Sequence, residues 1–192
     1  MSVVARVATY DDILALPENV VGEIIDGELF VSPRPGPPHI RATSRLGAWL
    51  MRYFDEGDGG PGGWWIMDEP ELRLGEDVLV PDIAGWRRER MPVFPETANF
   101  EITPDFVCEA VSPSSTRLDR FLKLPRYARH RVPYAWILDP LARGLEVYRL
   151  EGDRFSLIET FEGDGAVRAE PYDAVELSLL YLWLPTPPAP QS

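Results

Sequence analysis

The run Asp105-Phe106-Val107-Cys108-Glu109-Ala110-Val111 constrains this chain more than any other stretch. Pro104 precedes it and Ser112-Pro113-Ser114-Ser115-Thr116 follows, so its ends are marked. Apolar residues occupy both alternating faces, the pattern of a central strand covered on both sides. A helical pattern runs from Leu118 to about His130, interrupted at Pro125, where a kink or split is expected. A second apolar run, Tyr134 to Leu138, comes next. Strand, helix and strand in this order predict a parallel pair joined by a crossover helix.

The flanks fill in an α/β domain. Thr9 caps a short helix through about Leu16, ended by Pro17. Val20 to Val31 reads as two strand arms around a tight Asp26-Gly27 turn. Ser32 to Pro38 is a rigid loop, and His39 to about Phe54 is an amphipathic helix. Trp64 to Leu74 and Val78 to Trp86 are expected to pair as two long strands about Gly75-Glu76-Asp77. Gly144 to Leu150 and Phe155 to Phe161 read as a hairpin, and Leu177 to Leu184 is a closing apolar segment. The expectation is a mixed β-sheet with flanking helices and a central βαβ unit, one domain over residues 1–184, and a disordered Pro-rich tail over 185–192.

No apolar run approaches the ~20 residues of a membrane span, and the first twenty residues lack a signal-peptide pattern. Cys108 is the single cysteine, which excludes an internal disulfide and a Cys-rich zinc site. These features favour a cytoplasmic protein. The net charge of −12 argues against a nonspecific nucleic-acid coat protein, whose affinity needs many phosphate contacts. One segment departs from that balance. Arg117 to Arg131 holds six Lys/Arg and one acid, net +5, leaving −17 for the rest.

Two acids stand out. Asp82 interrupts the apolar run Val78-Leu79-Val80 and Ile83-Ala84, and Glu109 lies inside the central strand. A buried carboxylate needs a partner. A structural ion pair provides one; a shared hard cation, which takes oxygen ligands, provides another. Lys123 falls 14 residues after Glu109, on the following helix. A wheel through Leu118, Phe121, Leu122 and Ala128 puts it on the polar face with Asp119 and Tyr127, which predicts exposure to solvent.

Three segments, VGEIIDGELFVSPRPGPPH, VPDIAGWRRERMP and PDFVCEAVSPSSTRLDRFLKLPRYA, together resemble the Uma-two family of restriction-endonuclease-like proteins. That family is similar in fold to the PD-(D/E)XK nuclease superfamily. The resemblance implies a restriction-endonuclease-like fold and a metal-dependent endonuclease that hydrolyses DNA with Mg2+ (or Mn2+). It also implies that Asp82, Glu109, Lys123 and His39 form the catalytic set, with Asp82, Glu109, the Ala110 carbonyl and Glu23 around the metal. The superfamily's usual Glu-x-Lys reads Glu109-Ala110-Val111 here, so the lysine role passes to Lys123 on the next helix.

Arg87, Arg88, Arg117, Arg120 and Arg126 are the candidate nucleic-acid contacts, because both basic clusters follow the proposed ligands in sequence. Two rival functions remain open. One is a nuclease fold that binds or assembles without cleaving. The other is a structural protein, a homodimer packed through Trp64, Trp65 and Trp136.

Overall fold

The computed structural model describes residues 6–185. Helix α1 (Tyr10–Leu14) opens with the Thr9 backbone N–H donating to the Asp12 carboxylate at 2.8 Å. Strands β1 (Val20–Ile25) and β2 (Glu28–Pro33) form an antiparallel hairpin. Asp26 and Gly27 both take positive φ, 53° and 75°, the turn geometry that matches strand twist. Pro37 and Pro38 begin α2 (Pro37–Leu50), where a missing N–H costs nothing. One wider π turn, Met51–Asp55, extends it.

The two long strands expected next are four short ones: β3 (Trp64–Asp68), β4 (Leu72–Leu74), β5 (Asp77–Leu79) and β6 (Ile83–Arg87). β3 pairs with β6 and β4 with β5, in different sheets. The chain changes sheet at Glu69-Pro70 and again at Val80-Pro81. Proline has no N–H for a ladder, so each is a natural place for a strand to stop.

The central βαβ unit is present. β7 (Phe106–Ala110) is followed by α3 (Thr116–Leu118), a π segment (Asp119–Lys123) and α4 (Leu124–Arg129), then by β8 (Tyr134–Asp139). β7 and β8 pair in parallel from Phe106↔Tyr134 to Ala110↔Leu138. Pro125 does not break the helix; it takes the second position of α4, and the π segment just before it absorbs the irregularity. β9 (Gly144–Glu151) and β10 (Arg154–Glu162) form the expected hairpin. A small ribbon of β11 (Ala166–Val167) and β12 (Leu177–Ser178) was not evident from the sequence pattern.

The main sheet runs β10-β9-β8-β7-β6-β3, and the smaller one β2-β1-β5-β4. Ala42, Leu46 and Leu50 of α2 pack on one face of the main sheet with Phe106, Cys108 and Trp136. Leu72 and Leu79 of the small sheet and Tyr127 of α4 cover the other face, over Val107 and Trp86. Every residue of β7 is buried as a result. Trp64 and Trp136 are 4% and 1% exposed, so they belong to the core and are not an interface. Among the described residues no helix is long and apolar enough to cross a membrane. Of the tail expected over 185–192, only Pro185 lies within the described residues.

Candidate active site

The β6–β7 register brings the two acids together. Ile83 pairs with Cys108, so Asp82, one residue before β6, stands beside Glu109. Directly opposite residues of an antiparallel pair lie on one face, with Cβ atoms about 5 Å apart. Asp82 is fixed from two sides: Oδ2 accepts the Ala110 N–H at 2.6 Å, and Oδ1 meets His39 Nε2 at 2.6 Å. His39 stands in the first turn of α2, so the far face of the sheet contributes to the same site.

Lys123 is 3% exposed, which overturns the reading of its helix face as solvated. The wheel grouped Asp119, Lys123 and Tyr127 correctly, but that stripe faces inward while Phe121 is 72% exposed. The Lys123 ammonium lies 2.9 Å from both Glu23 Oε1 and Glu109 Oε1, and donates to the Val80 carbonyl at 2.8 Å. Glu23 Oε1 also accepts the Val80 N–H at 2.8 Å. Val80 lies where the chain leaves the small sheet for the main one, so two side chains satisfy the backbone groups the ladder abandons there. Glu23 is therefore tied to Lys123 and Val80, and it meets the Asp82–Glu109 pair through the lysine. Tyr127 donates its hydroxyl to Glu109 Oε1 at 2.5 Å.

Glu23, His39, Asp82, Glu109 and Lys123 line a cleft of about 280 Å³ between the β1–β2 hairpin, the start of α2 and the α3–α4 segment. Five carboxylates line it (Glu23, Glu69, Asp82, Glu109, Asp119) against two permanent cations, Arg34 and Lys123. Burial and that imbalance act together on Glu109, Asp119, Lys123 and His39. Burial, then the nearby Asp119, Asp82 and Glu23, push the Glu109 carboxyl well above its usual range against the opposing pull of Lys123. Burial also raises Asp119 to about 6, opposed by Lys123 and a Ser115 hydrogen bond. Lys123 stays protonated: burial works against its charge, but Glu109, Glu23, Asp119 and Asp82 outweigh it. For His39 burial is again the largest influence and lowers its pKa, yet Asp82, Asp119 and Glu69 raise it overall.

Sequence reasoning grouped Asp119 and Tyr127 with Lys123 but gave them no role in the site, and it did not single out Glu69 or Arg34. Asp119 and Tyr127 carried a usable signal, lying four residues either side of Lys123. Glu69 and Arg34 sit in loops and carried none. The serines behave as a loop clasp: Thr116 Oγ1 donates to the Ser112 carbonyl at 2.6 Å and the Ser115 N–H to Ser112 Oγ at 3.2 Å. His130 is not a free helix end; its Nε2 meets Asp77 Oδ2 at 2.8 Å and pins α4 to β5.

The basic residues part company. Arg87 is five residues from Asp82 along β6, about 17 Å at strand rise. It covers Trp64, with its guanidinium 4.5 Å from the ring centre. Arg88 binds Asp55 at 2.5 Å and the Trp64 carbonyl at 2.9 Å. Both therefore sit at the far end of the strand and do not flank the cleft. Arg120 makes a bidentate pair with Glu146, at 2.6 and 2.8 Å, and Arg126 pairs with Asp26. Of the five candidate contacts, Arg117 alone is exposed with no ion pair among the described residues.

The donors suit a hard cation. Asp82 and Glu109 offer oxygen, and Ala110 lines the cleft beside them. No group of three or more His, Cys, Asp or Glu among the described residues is arranged as a ready metal cluster. Asp82 and Glu109 are the two side-by-side carboxylates that could hold a divalent ion, with water completing its shell.

Residues 8–180 match the model of a family described as "Uma2: Putative restriction endonuclease". No curated protein matches the chain. A crystal structure described as "a putative nuclease belonging to DUF820 from Anabaena variabilis ATCC 29413" superposes with a TM-score of 0.72 at 23% identity, covering 91% of this chain and 97% of that one. The likeness establishes a shared nuclease-like fold.

Proposed function

Because the chain belongs to the Uma2 family, we propose that it is a metal-dependent endonuclease of the PD-(D/E)XK type that hydrolyses DNA phosphodiester bonds. One observation carries the reading. A cleft with five carboxylates and two permanent cations repels a phosphate, so it needs a bound cation before a nucleic acid can enter. Asp82 and Glu109 would hold Mg2+ (or Mn2+), with the Ala110 carbonyl beside them. When bound, such an ion supplies positive charge against the phosphate oxygens and acidity to a water at the site.

The chain's own residues set the geometry. Asp82 is oriented by His39 and the Ala110 N–H, and Glu109 by Tyr127 and Lys123. His39 Nε2 faces Asp82 at 2.6 Å, and an imidazole there is suited to proton exchange near neutral pH. The three acceptors around Lys123 match its three N–H donors. It acts here as counter-ion to Glu23 and Glu109, and reaches a phosphate only by releasing one of them. The same saturation favours the rival reading, a nuclease fold that binds without cleaving.

Incubating the purified protein with plasmid and linear DNA, with Mg2+, Mn2+ or chelator, separates the two. The expected result is metal-dependent cleavage that Asp82→Asn and Glu109→Gln abolish while both variants stay folded. No cleavage with either ion, or cleavage indifferent to both substitutions, would refute the proposal.

A further inference from the structure

We propose that the groove between the β1–β2 hairpin and the α3–α4 segment seats an unpaired nucleic-acid strand running out of the cleft, with Phe121 as its stacking platform and Arg117 as its phosphate contact. The proposal rests on the reading of the cleft as a nuclease site, and names the form of substrate that site takes.

The groove encloses about 780 Å³ and is continuous with the cleft, since Ser114 and Leu118 line both. Its floor is apolar, built from Ile25, Phe30, Leu118 and Leu122. Phe121 lines it and is 72% exposed, although Asp119 and Lys123, two residues either side, are 4% and 3% exposed. A phenylalanine left so far in water gains nothing for the fold, and an aromatic face beside a groove suits a base, whose π-face stacks whatever its identity. Arg117 lies four residues before Phe121, about one helical turn, exposed and without an ion pair among the described residues. Arg126 and Arg129 line the same groove and share the single carboxylate of Asp26. The lining carries three arginines against Asp26 and Glu28, a positive surplus on a protein of net charge −12.

An apolar floor, an aromatic at the edge and cations beside it match a strand that exposes both base faces and phosphates. A duplex hides its base faces within the stack and would use the arginines alone. Continuity with the cleft gives the strand a path to the carboxylate pair.

The test compares wild-type protein with Phe121→Ala, Phe121→Trp and Arg117→Ala. Fluorescence anisotropy measures binding to a labelled single strand of about 12 nucleotides and to the matching duplex. Phe121 is exposed, so circular dichroism should show each Phe121 variant folded. Phe121→Ala should weaken single-strand binding by roughly five- to a hundredfold and leave duplex binding unchanged, with Phe121→Trp restoring it. Arg117→Ala should flatten the salt dependence of single-strand binding. Equal losses on strand and duplex, no loss on the strand, or no strand binding by the wild type would overturn the inference. So would a Phe121→Ala variant that dissolves a dimer while binding the strand normally. Strand binding without metal-dependent cleavage would sink the proposed endonuclease activity and leave the groove standing. Cleavage with no effect of Phe121→Ala would do the reverse.

Discussion

Replacing Lys123 with methionine keeps most of the side chain's volume and removes its charge. The ammonium bridges two carboxylates at 2.9 Å each, and all three side chains are 4% exposed. Breaking a buried pair by deleting one partner leaves an uncompensated charge and costs about 3–5 kcal/mol. The lost donor to the Val80 carbonyl acts within the same network, so its cost does not simply add. A loss of that size consumes a large share of the ~5–15 kcal/mol that holds a typical domain. It should lower the melting temperature by roughly 6–20 °C for a chain of this length. The effect must also depend on pH. Burial and neighbouring acids already raise the Glu109 carboxyl well above the usual carboxylate range, and without Lys123 it rises further. A carboxyl raised in the folded state contributes stability that is complete below the unfolded pKa and lost as pH climbs through the folded one. The variant's deficit should therefore be smallest near pH 4.5 and grow as pH climbs through the wild-type Glu109 value towards the variant's higher one. Urea unfolding in chelator across that range measures it, and Lys123→Met combined with Glu109→Gln should recover part of the loss. A deficit below about 1 kcal/mol at neutral pH, or one that ignores pH, would refute the view of Lys123 as the site's counter-ion.

Asp119, raised to about 6 from 3.8, should give the wild type stability that is full below the lower value and lost as pH rises through the upper, roughly 3 kcal/mol in all. Asp119→Asn should remove that slope in urea titrations at stepped pH. Arg117→Ala should reduce the salt slope of DNA binding by about one unit, the share of one phosphate contact. Arg120→Ala should leave the slope unchanged and cost up to about 1 kcal/mol in thermal unfolding, because its guanidinium is spent on Glu146.

Much of this site was legible in the sequence, for physical reasons that also explain the failures. Asp82 and Glu109 announced themselves as acids inside apolar strands, and a carboxylate there must have a partner. Their side-by-side placement needed the β6–β7 register, which one-dimensional spacing does not contain. Lys123 was assigned the wrong surroundings because a helical wheel assumes that the inner face is the apolar one. Here the inner stripe meets a charged cleft, while Leu118 and Leu122 pack sideways against the apolar cluster of Leu72, Leu79 and Tyr127 and Phe121 faces out. The βαβ unit was readable because its strands are continuous apolar runs. The sheet change at Pro70 and Pro81 was not, because four short strands on two sheets share one alternating pattern with two long ones. Arg87 and Arg88 looked close to Asp82 along the chain, yet an extended strand carries them away by its own length.

On the proposed reading, Asp82 and Glu109 together hold one divalent cation. Calorimetric titration of the metal-free protein with Mg2+ and Mn2+ tests it directly. The wild type should bind the ion with release of protons, since the Glu109 carboxyl starts raised, and Asp82→Asn and Glu109→Gln should each lose that binding while remaining folded. A wild type that takes up neither ion, or variants that bind as tightly as it does, would contradict the claim.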